Sequence, residues 1–181
     1  MIDRKLGIPI TLSVLYMEVA RRVGLPLVGV AMPGHFLVKH YDAEGSEMLI
    51  DVFEQGKLIT VEDCQRRLNS TYSHKVSMQP DFLSPANKRQ ILARMLNNLR
   101  QIYLDARNFR KALTIVDLIL AIYPRSPEDV KQRAVLRYET GQLRPGLNDF
   151  ETYLKMLPEA PDAEEVRALV IAIRRKLATF N

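Results

Sequence analysis

The second half of this 181-residue chain repeats itself with a period of 34 residues. A small residue, a bulky residue, a leucine and a proline recur in the same order and at the same spacing. The first set is Ala112, Val116, Leu120 and Pro124, and the second is Gly146, Phe150, Leu154 and Pro158. Steps of four residues place the first three members of each set on one face of a helix, and the proline ends that helix. The pattern therefore predicts two copies of one helical unit that pack closely at the small residues.

A 34-residue period is typical of the tetratricopeptide repeat (TPR), a pair of helices joined by a short turn. We expect repeat one at about 93–126 and repeat two at about 127–160. A last amphipathic helix within 161–181 should cover the open end of the array. Its apolar residues are Val166, Leu169, Val170, Ile173 and Leu177. Repeat two departs from the pattern, because Arg133 and Arg137 stand where the repeat usually has leucine and tyrosine.

Polar residues follow one face of the first helix of repeat one. They are Arg94, Asn97, Asn98, Gln101 and Asp105. Since first helices line the concave groove of a TPR array, this face predicts a protein or peptide partner. Arg94 and Asn98 resemble two residues of the carboxylate clamp of some TPR domains, but Glu128 and Gln132 do not continue the clamp in repeat two. The stripe thus indicates a general peptide-binding groove, with an ordinary solvated helix face as the alternative.

Residues 1–86 follow a different pattern and begin with a predicted helix over 9–23. Its apolar stripe comprises Leu12, Leu15, Tyr16, Val19 and Val23, which recur at helical spacing. Pro9 suits the first turn, where its missing N–H is not needed, and Gly24 suits the position just past the end.

Three short strands and a second helix complete this half. The strands are predicted at Leu27–Met32, His35–Tyr41 and Glu47–Phe53. Thr60 followed by Asp63 forms a capping pattern that opens the second helix. The polar stretch 69–85 connects this half to the helical region at 87–181. A helix followed by antiparallel strands predicts an α+β fold.

This half resembles the transglutaminase-like core, a papain-like fold. The segments that carry the resemblance are Gly7-Ile8-Pro9, Pro33-Gly34-His35-Phe36 and Ile50-Asp51-Val52-Phe53. With TPR repeats behind it, the chain is similar to the bacterial family named for the SirB invasion-regulator proteins. The resemblance implies an α+β core followed by an all-α TPR array, and a role in regulation or interaction. Members usually carry a helical segment before the Gly-x-Pro motif, so we expect the 1–86 domain to be N-terminally truncated.

The resemblance assigns His35 as the base and Asp51 as its orienting carboxylate, but the expected cysteine nucleophile is replaced by Pro9. The sole thiol, Cys64, lies in the second predicted helix, out of order for this chemistry. Ser13 lies one turn deeper than Pro9 on the same helix face and is the alternative nucleophile. We therefore expect a degenerate, non-catalytic core, with a hydrolase or acyltransferase using Ser13 as the alternative. Without catalysis, the His35 and Asp51 pair is either structural or a ligand site.

Neither a metal nor a cofactor is expected. His35, His40 and Asp51 are the candidate ligands, but an odd spacing on one strand directs the two histidines to opposite faces. His74 stands alone in the connecting segment.

The net charge of +5 is concentrated in 87–126, which holds 8 basic and 2 acidic residues. No groove-reading motif accompanies this excess, so the sequence argues against nucleic acid. No apolar run approaches the roughly 20 residues of a membrane span, and no signal-peptide pattern follows Met1. With a single cysteine, the composition is typical of a cytoplasmic protein.

Overall fold

The computed structural model describes residues 6–72 and 76–179. The chain divides into two compact units, Met1–Met95 and Leu96–Asn181. This division falls within a helix, whereas the sequence pattern changes near residue 86.

The first unit is a small α+β domain built on a four-stranded antiparallel sheet. Its elements are α1 (Pro9–Arg22), β1 (Val28–Val30), β2 (Leu37–Tyr41), β3 (Glu47–Asp51), β4 (Lys57–Ile59), α2 (Val61–Thr71) and a 3₁₀ turn (Pro80–Leu83). The strands pair in chain order, and Gly29, Val38, Ile50 and Leu58 lie side by side across the sheet. The predicted α+β fold is confirmed. Strand β4 was not predicted, because its three residues do not belong to a longer apolar run, as those of β1 do in 27–32.

Helix α1 begins at Pro9, where the proline ring favours a first helical turn. The Thr11 hydroxyl lies over this end, accepting from the Ile8 N–H and donating to the Ile8 carbonyl. The helix exists where its apolar stripe predicts it, but most of that stripe faces outward. Leu15, Tyr16, Val19 and Val23 are each at least 38% exposed, and the buried positions are Ile10, Ser13 and Ala20. Helix α1 packs on β1 and β2, and the small residues of its buried face suit that close contact.

The core on the α2 side of the sheet joins strand residues to the helix. Its members are Val30, Met32, Leu37, Leu49, Ile59 and Cys64. The predicted capping pattern opens α2, since Thr60 Oγ1 accepts from the Asp63 N–H and the Asp63 carboxylate accepts from the Thr60 N–H. Residues of the sheet and of α2 thus pack in one core, and this packing holds α2 against the sheet.

The second unit is helical, as the 34-residue period predicts. The helices are α3 (Lys88–Asp105, whose first half belongs to the first unit), α4 (Phe109–Ile122), α5 (Pro127–Glu139), α6 (Leu143–Met156) and α7 (Ala163–Ala178). Its core contains Ala112, Val116, Ala134 and Phe150 together with the α7 residues Val166, Val170 and Ile173. A Cβ atom on Gly146 would lie 3.2 Å from the Ala134 carbonyl oxygen, so the small residue marks the closest approach of α5 and α6.

The two arginines that break the repeat pattern both bind one buried carboxylate. Arg133 donates to both oxygens of Asp149 at 2.9 and 2.8 Å, and Arg137 Nη1 donates to Oδ2 at 2.8 Å. Asp149 is only 5% exposed. Its hydrogen bonds raise the pKa of Arg133 above the ordinary arginine value, against the opposing effect of burial. Arg133 also reaches the more exposed Asp117 at 3.3 Å. An ion-pair network thus joins α5 to α6 where the repeat usually has apolar contacts.

Candidate functional site

His35, Asp51 and Arg67 form one hydrogen-bonded cluster in the first unit. His35 Nε2 lies 2.9 Å from Asp51 Oδ2. Arg67 Nη1 lies 2.7 Å from the same carboxylate oxygen and 3.2 Å from His35 Nε2. Arg67 Nη2 pairs with Glu54 at 2.8 Å. His35 lies in the turn before β2, Asp51 lies at the end of β3, and Arg67 lies on the inner face of α2.

The Asp51 carboxylate is completely buried and both of its oxygens are bonded. Oδ1 accepts from the main-chain N–H groups of Phe53 and Glu54 at 2.9 and 3.1 Å. Oδ2 faces Arg67 and His35. These contacts hold the carboxylate in one orientation, because both of its oxygens have hydrogen-bonding partners.

The turn that carries His35 is held by its backbone. Gly34 has φ +74°, and a Cβ there would lie 2.7 Å from Thr71 Cγ2, so both conformation and space require glycine. Arg94 donates to the carbonyl oxygens of Met32 and His35, each at 2.7 Å. Burial lowers the pKa of Arg94 below its ordinary value. His35 precedes β2 instead of lying within it, and the turn fixes its position.

No hydroxyl or thiol of the described residues is hydrogen-bonded to His35. Pro9 starts α1 and offers no nucleophilic atom. Ser13 is completely buried, and its Oγ has no hydrogen-bond partner within the described part of the chain. Cys64 is completely buried in the core beside Met32 and Leu37, and burial raises the pKa of its thiol. The structure therefore brings His35 and Asp51 together but bonds neither candidate nucleophile to the imidazole.

The predicted binding residues on α3 lie in two different settings. Arg94 turns inward to the His35 loop. Asn97 and Gln101 are exposed and Asn98 is half-buried, and Gln101 donates to Asp105 at 2.7 Å. The polar stripe at 97, 98 and 101 therefore remains available for a ligand, whereas the Arg94 guanidinium already has two carbonyl partners.

A depression of about 300 Å³ lies on the first helix of repeat two. Its lining residues are Glu128, Lys131, Gln132, Val135 and Tyr153. Tyr153 donates to Asp162 at 2.6 Å, and Lys131 pairs with the same carboxylate. The hydrogen bond to Asp162 and burial raise the pKa of Tyr153 to about 12, while Lys131 and Tyr153 lower the pKa of Asp162. This depression has a polar floor in which the tyrosine stays a hydrogen-bond donor at all ordinary pH values.

Sequence reasoning missed Arg67. The pair Arg66-Arg67 is typical of a solvated helix face, and Arg66 does lie on the surface with its side chain 72% exposed. Arg67, however, follows Cys64 by three residues and precedes Leu68, and both of these are completely buried. Helical spacing therefore contained a signal that Arg67 faces the core side of α2.

No metal site or membrane span is found in the described residues. Within 6–72 and 76–179, no group of three His, Cys, Asp or Glu side chains is placed to hold a metal ion. His40 contacts the Pro26 carbonyl oxygen at 3.4 Å, and His74 lies outside the described residues. The helices of the same part of the chain are all too short or too polar to cross a bilayer.

Comparison with known proteins supports both units. A family model described as the transglutaminase-like superfamily matches residues 1–97, and a tetratricopeptide repeat model matches residues 99–170. A UPF0162 protein of Xylella fastidiosa is 34% identical over 175 residues, which are 93% of this chain and 61% of the relative. Protein SirB1 of Salmonella typhimurium is 22% identical over 97% of this chain and 65% of its own length. F-box only protein 21 of Mus musculus is 30% identical over 77% of this chain and 23% of its own. The chain thus spans about 61% of the length of the Xylella relative.

Proposed function

Because this chain belongs to the transglutaminase-like superfamily and has the SirB-type order of that core followed by TPR repeats, we propose that it acts without catalysis. In this proposal it is a cytoplasmic interaction or regulatory module that binds a protein or peptide in its TPR groove. The observation that carries the non-catalytic part is that no hydroxyl or thiol of the described residues is bonded to His35.

Acyl transfer by such a core needs a nucleophile that the histidine can deprotonate. Pro9 has no ionisable atom, and the thiol of Cys64 is sealed in the core with a raised pKa. A buried thiol with a raised pKa forms little thiolate at neutral pH, so it is a poor nucleophile. His35 and Asp51 would then serve the structure or a bound ligand.

The groove part of the proposal is supported by two polar surfaces in the second unit. One is the stripe at Asn97, Asn98 and Gln101 on α3. The other is the depression beside Lys131 and Tyr153. The first helices of the two repeats offer amide groups at Asn97, Asn98 and Gln101 and an ammonium group at Lys131, and such groups recognise the polar main chain of a peptide.

A matched pair of double variants tests the groove. Asn97→Ala with Asn98→Ala removes two amide side chains from the first helix of repeat one. Thr114→Ala with Asn148→Ala removes exposed polar groups from the second helices and serves as the control. Each tagged chain is recovered from its native cells, and bound proteins are quantified by mass spectrometry. We expect at least one partner to fall by about tenfold in the groove variant, a loss of about 1.4 kcal/mol in binding, and to be retained by the control. Equal recovery in both variants would contradict a groove at these residues.

The alternative is a hydrolase or acyltransferase with Ser13 as nucleophile and His35 and Asp51 as its partners. The buried, unbonded hydroxyl of Ser13 favours this alternative, since a free hydroxyl inside a protein calls for an explanation. The lack of a Ser13 to His35 hydrogen bond opposes it. A small residue packed under the sheet, like Ala20 on the same helix, accounts for Ser13 without catalysis.

A further inference from the structure

The buried carboxylate of Asp51 has two side-chain partners that can carry a positive charge. One is the Arg67 guanidinium at 2.7 Å, and the other is His35 if its ring carries two protons. An isolated carboxylate that is completely buried costs several kcal/mol, so at least one of these groups must be charged. Arginine is always charged in proteins, and Arg67 already contacts Oδ2. The second charge on His35 is therefore not required.

The geometry also determines which ring nitrogen of His35 carries the hydrogen. Nε2 lies 2.9 Å from a carboxylate oxygen, which has only lone pairs to offer. Two lone pairs at this distance would repel each other, so Nε2 must be the protonated nitrogen and donate to Asp51. Arg67 Nη1, at 3.2 Å from Nε2, is then directed at the carboxylate. The other nitrogen, Nδ1, has no hydrogen-bond partner among the described residues.

We propose that Arg67 is the positioning residue of this site. It neutralises Asp51 so that His35 remains an uncharged imidazole, with its hydrogen on Nε2 and a free lone pair on Nδ1. The site thereby presents a hydrogen-bond acceptor, and a ligand that binds there donates an N–H or O–H group to Nδ1. This inference is independent of the TPR groove and holds whether or not the groove binds a partner.

The other charged groups near the ring agree with this assignment. Glu54 binds the far side of the Arg67 guanidinium at 2.8 Å and is 46% exposed, so it orients the arginine without replacing Asp51 as its main partner. Arg94 donates to the main-chain oxygen of His35 and adds a second positive charge on that side of the turn. Neither Glu54 nor Arg94 contacts the imidazole itself, so Asp51 and Arg67 are the hydrogen-bond partners of the ring among the described residues.

Nitrogen NMR of the histidine rings tests the proposal directly. In the full chain labelled with ¹⁵N-histidine, the His35 signals are assigned by their loss in His35→Gln. At neutral pH we expect Nε2 to be protonated and Nδ1 to be unprotonated. In Arg67→Met the ring becomes the only positive partner of Asp51 among the described residues, so we expect both nitrogens to be protonated. Arg67→Lys keeps a positive charge and should restore the wild-type pattern.

Arg66→Met is the matched control, because Arg66 precedes Arg67 but pairs with Asp63 on the surface. It should leave the His35 signals unchanged. A wild-type spectrum with two protonated nitrogens, or with the hydrogen on Nδ1, would overturn the proposal even if Arg67→Met failed to fold. An unchanged His35 spectrum in folded Arg67→Met would overturn it as well.

Discussion

Among single residues, His35 and Asp51 meet Arg67 at one buried carboxylate. The two former residues stand in short motifs, Pro33-Gly34-His35 and Ile50-Asp51, that place them at adjacent strands. Arg67 comes from a distant helix and has no motif of its own. Its contact depends on the way α2 packs, which only the tertiary structure shows.

A cysteine at position 9 tests whether this position faces the His35 imidazole. If proline has replaced a nucleophile beside His35, Pro9→Cys should return a thiol that the imidazole can deprotonate, aided by the helix N-terminus. We expect iodoacetamide at pH 7 to alkylate the introduced thiol about tenfold faster in Pro9→Cys than in Pro9→Cys with His35→Ala. Alkylation rates are followed by intact-protein mass spectrometry. Peptide mapping distinguishes alkylation of the introduced thiol from alkylation of Cys64. Equal rates with and without His35 would mean that position 9 does not face the imidazole.

At the scale of elements, helical periods identify helices better than they identify buried faces. Helix α1 has apolar residues on two sides, so its strongest stripe gave its extent but not its packing side: Leu15 and Val19 are exposed, whereas Ser13 and Ala20 are buried. Small residues often lie where a helix approaches a sheet closely. In repeat two the helical period did not predict the ion-pair network, because Asp149 is far from Arg133 and Arg137 in sequence.

That network gives a prediction at the element scale. Asp149→Ala leaves Arg133 and Arg137 without their shared carboxylate, and breaking a buried ion pair from one side typically costs 3–5 kcal/mol. Since the two arginine side chains keep 24% and 21% of their surface exposed, we expect the lower end, about 3 kcal/mol of unfolding free energy. Asp117→Ala removes a partner that is 47% exposed and should cost less than about 1 kcal/mol. Urea titrations followed by circular dichroism measure both variants, and similar losses would show that burial of Asp149 is not decisive.

At the scale of the whole molecule, the change of pattern along the chain predicted an α+β core followed by helical repeats, and both are found. Repeats are predictable because the same packing demand recurs every 34 residues, as Ala112 and Gly146 show. Function is less predictable, because His35 and Asp51 are in contact here without a nucleophile of the described residues bonded to the imidazole. The detailed chemistry of a groove determines which partner binds there. The sequence shows only one part of that chemistry, the polar stripe at Asn97, Asn98 and Gln101.

We propose that His35 and Asp51 of the first unit take part in no catalysis, and labelling with a serine-directed electrophile tests this proposal. The wild-type chain is incubated with a fluorophosphonate and its intact mass is measured, with His35→Ala as the matched variant. We expect no stoichiometric adduct, because Ser13 is buried and not bonded to His35. One adduct per chain at Ser13, abolished by His35→Ala, would contradict it.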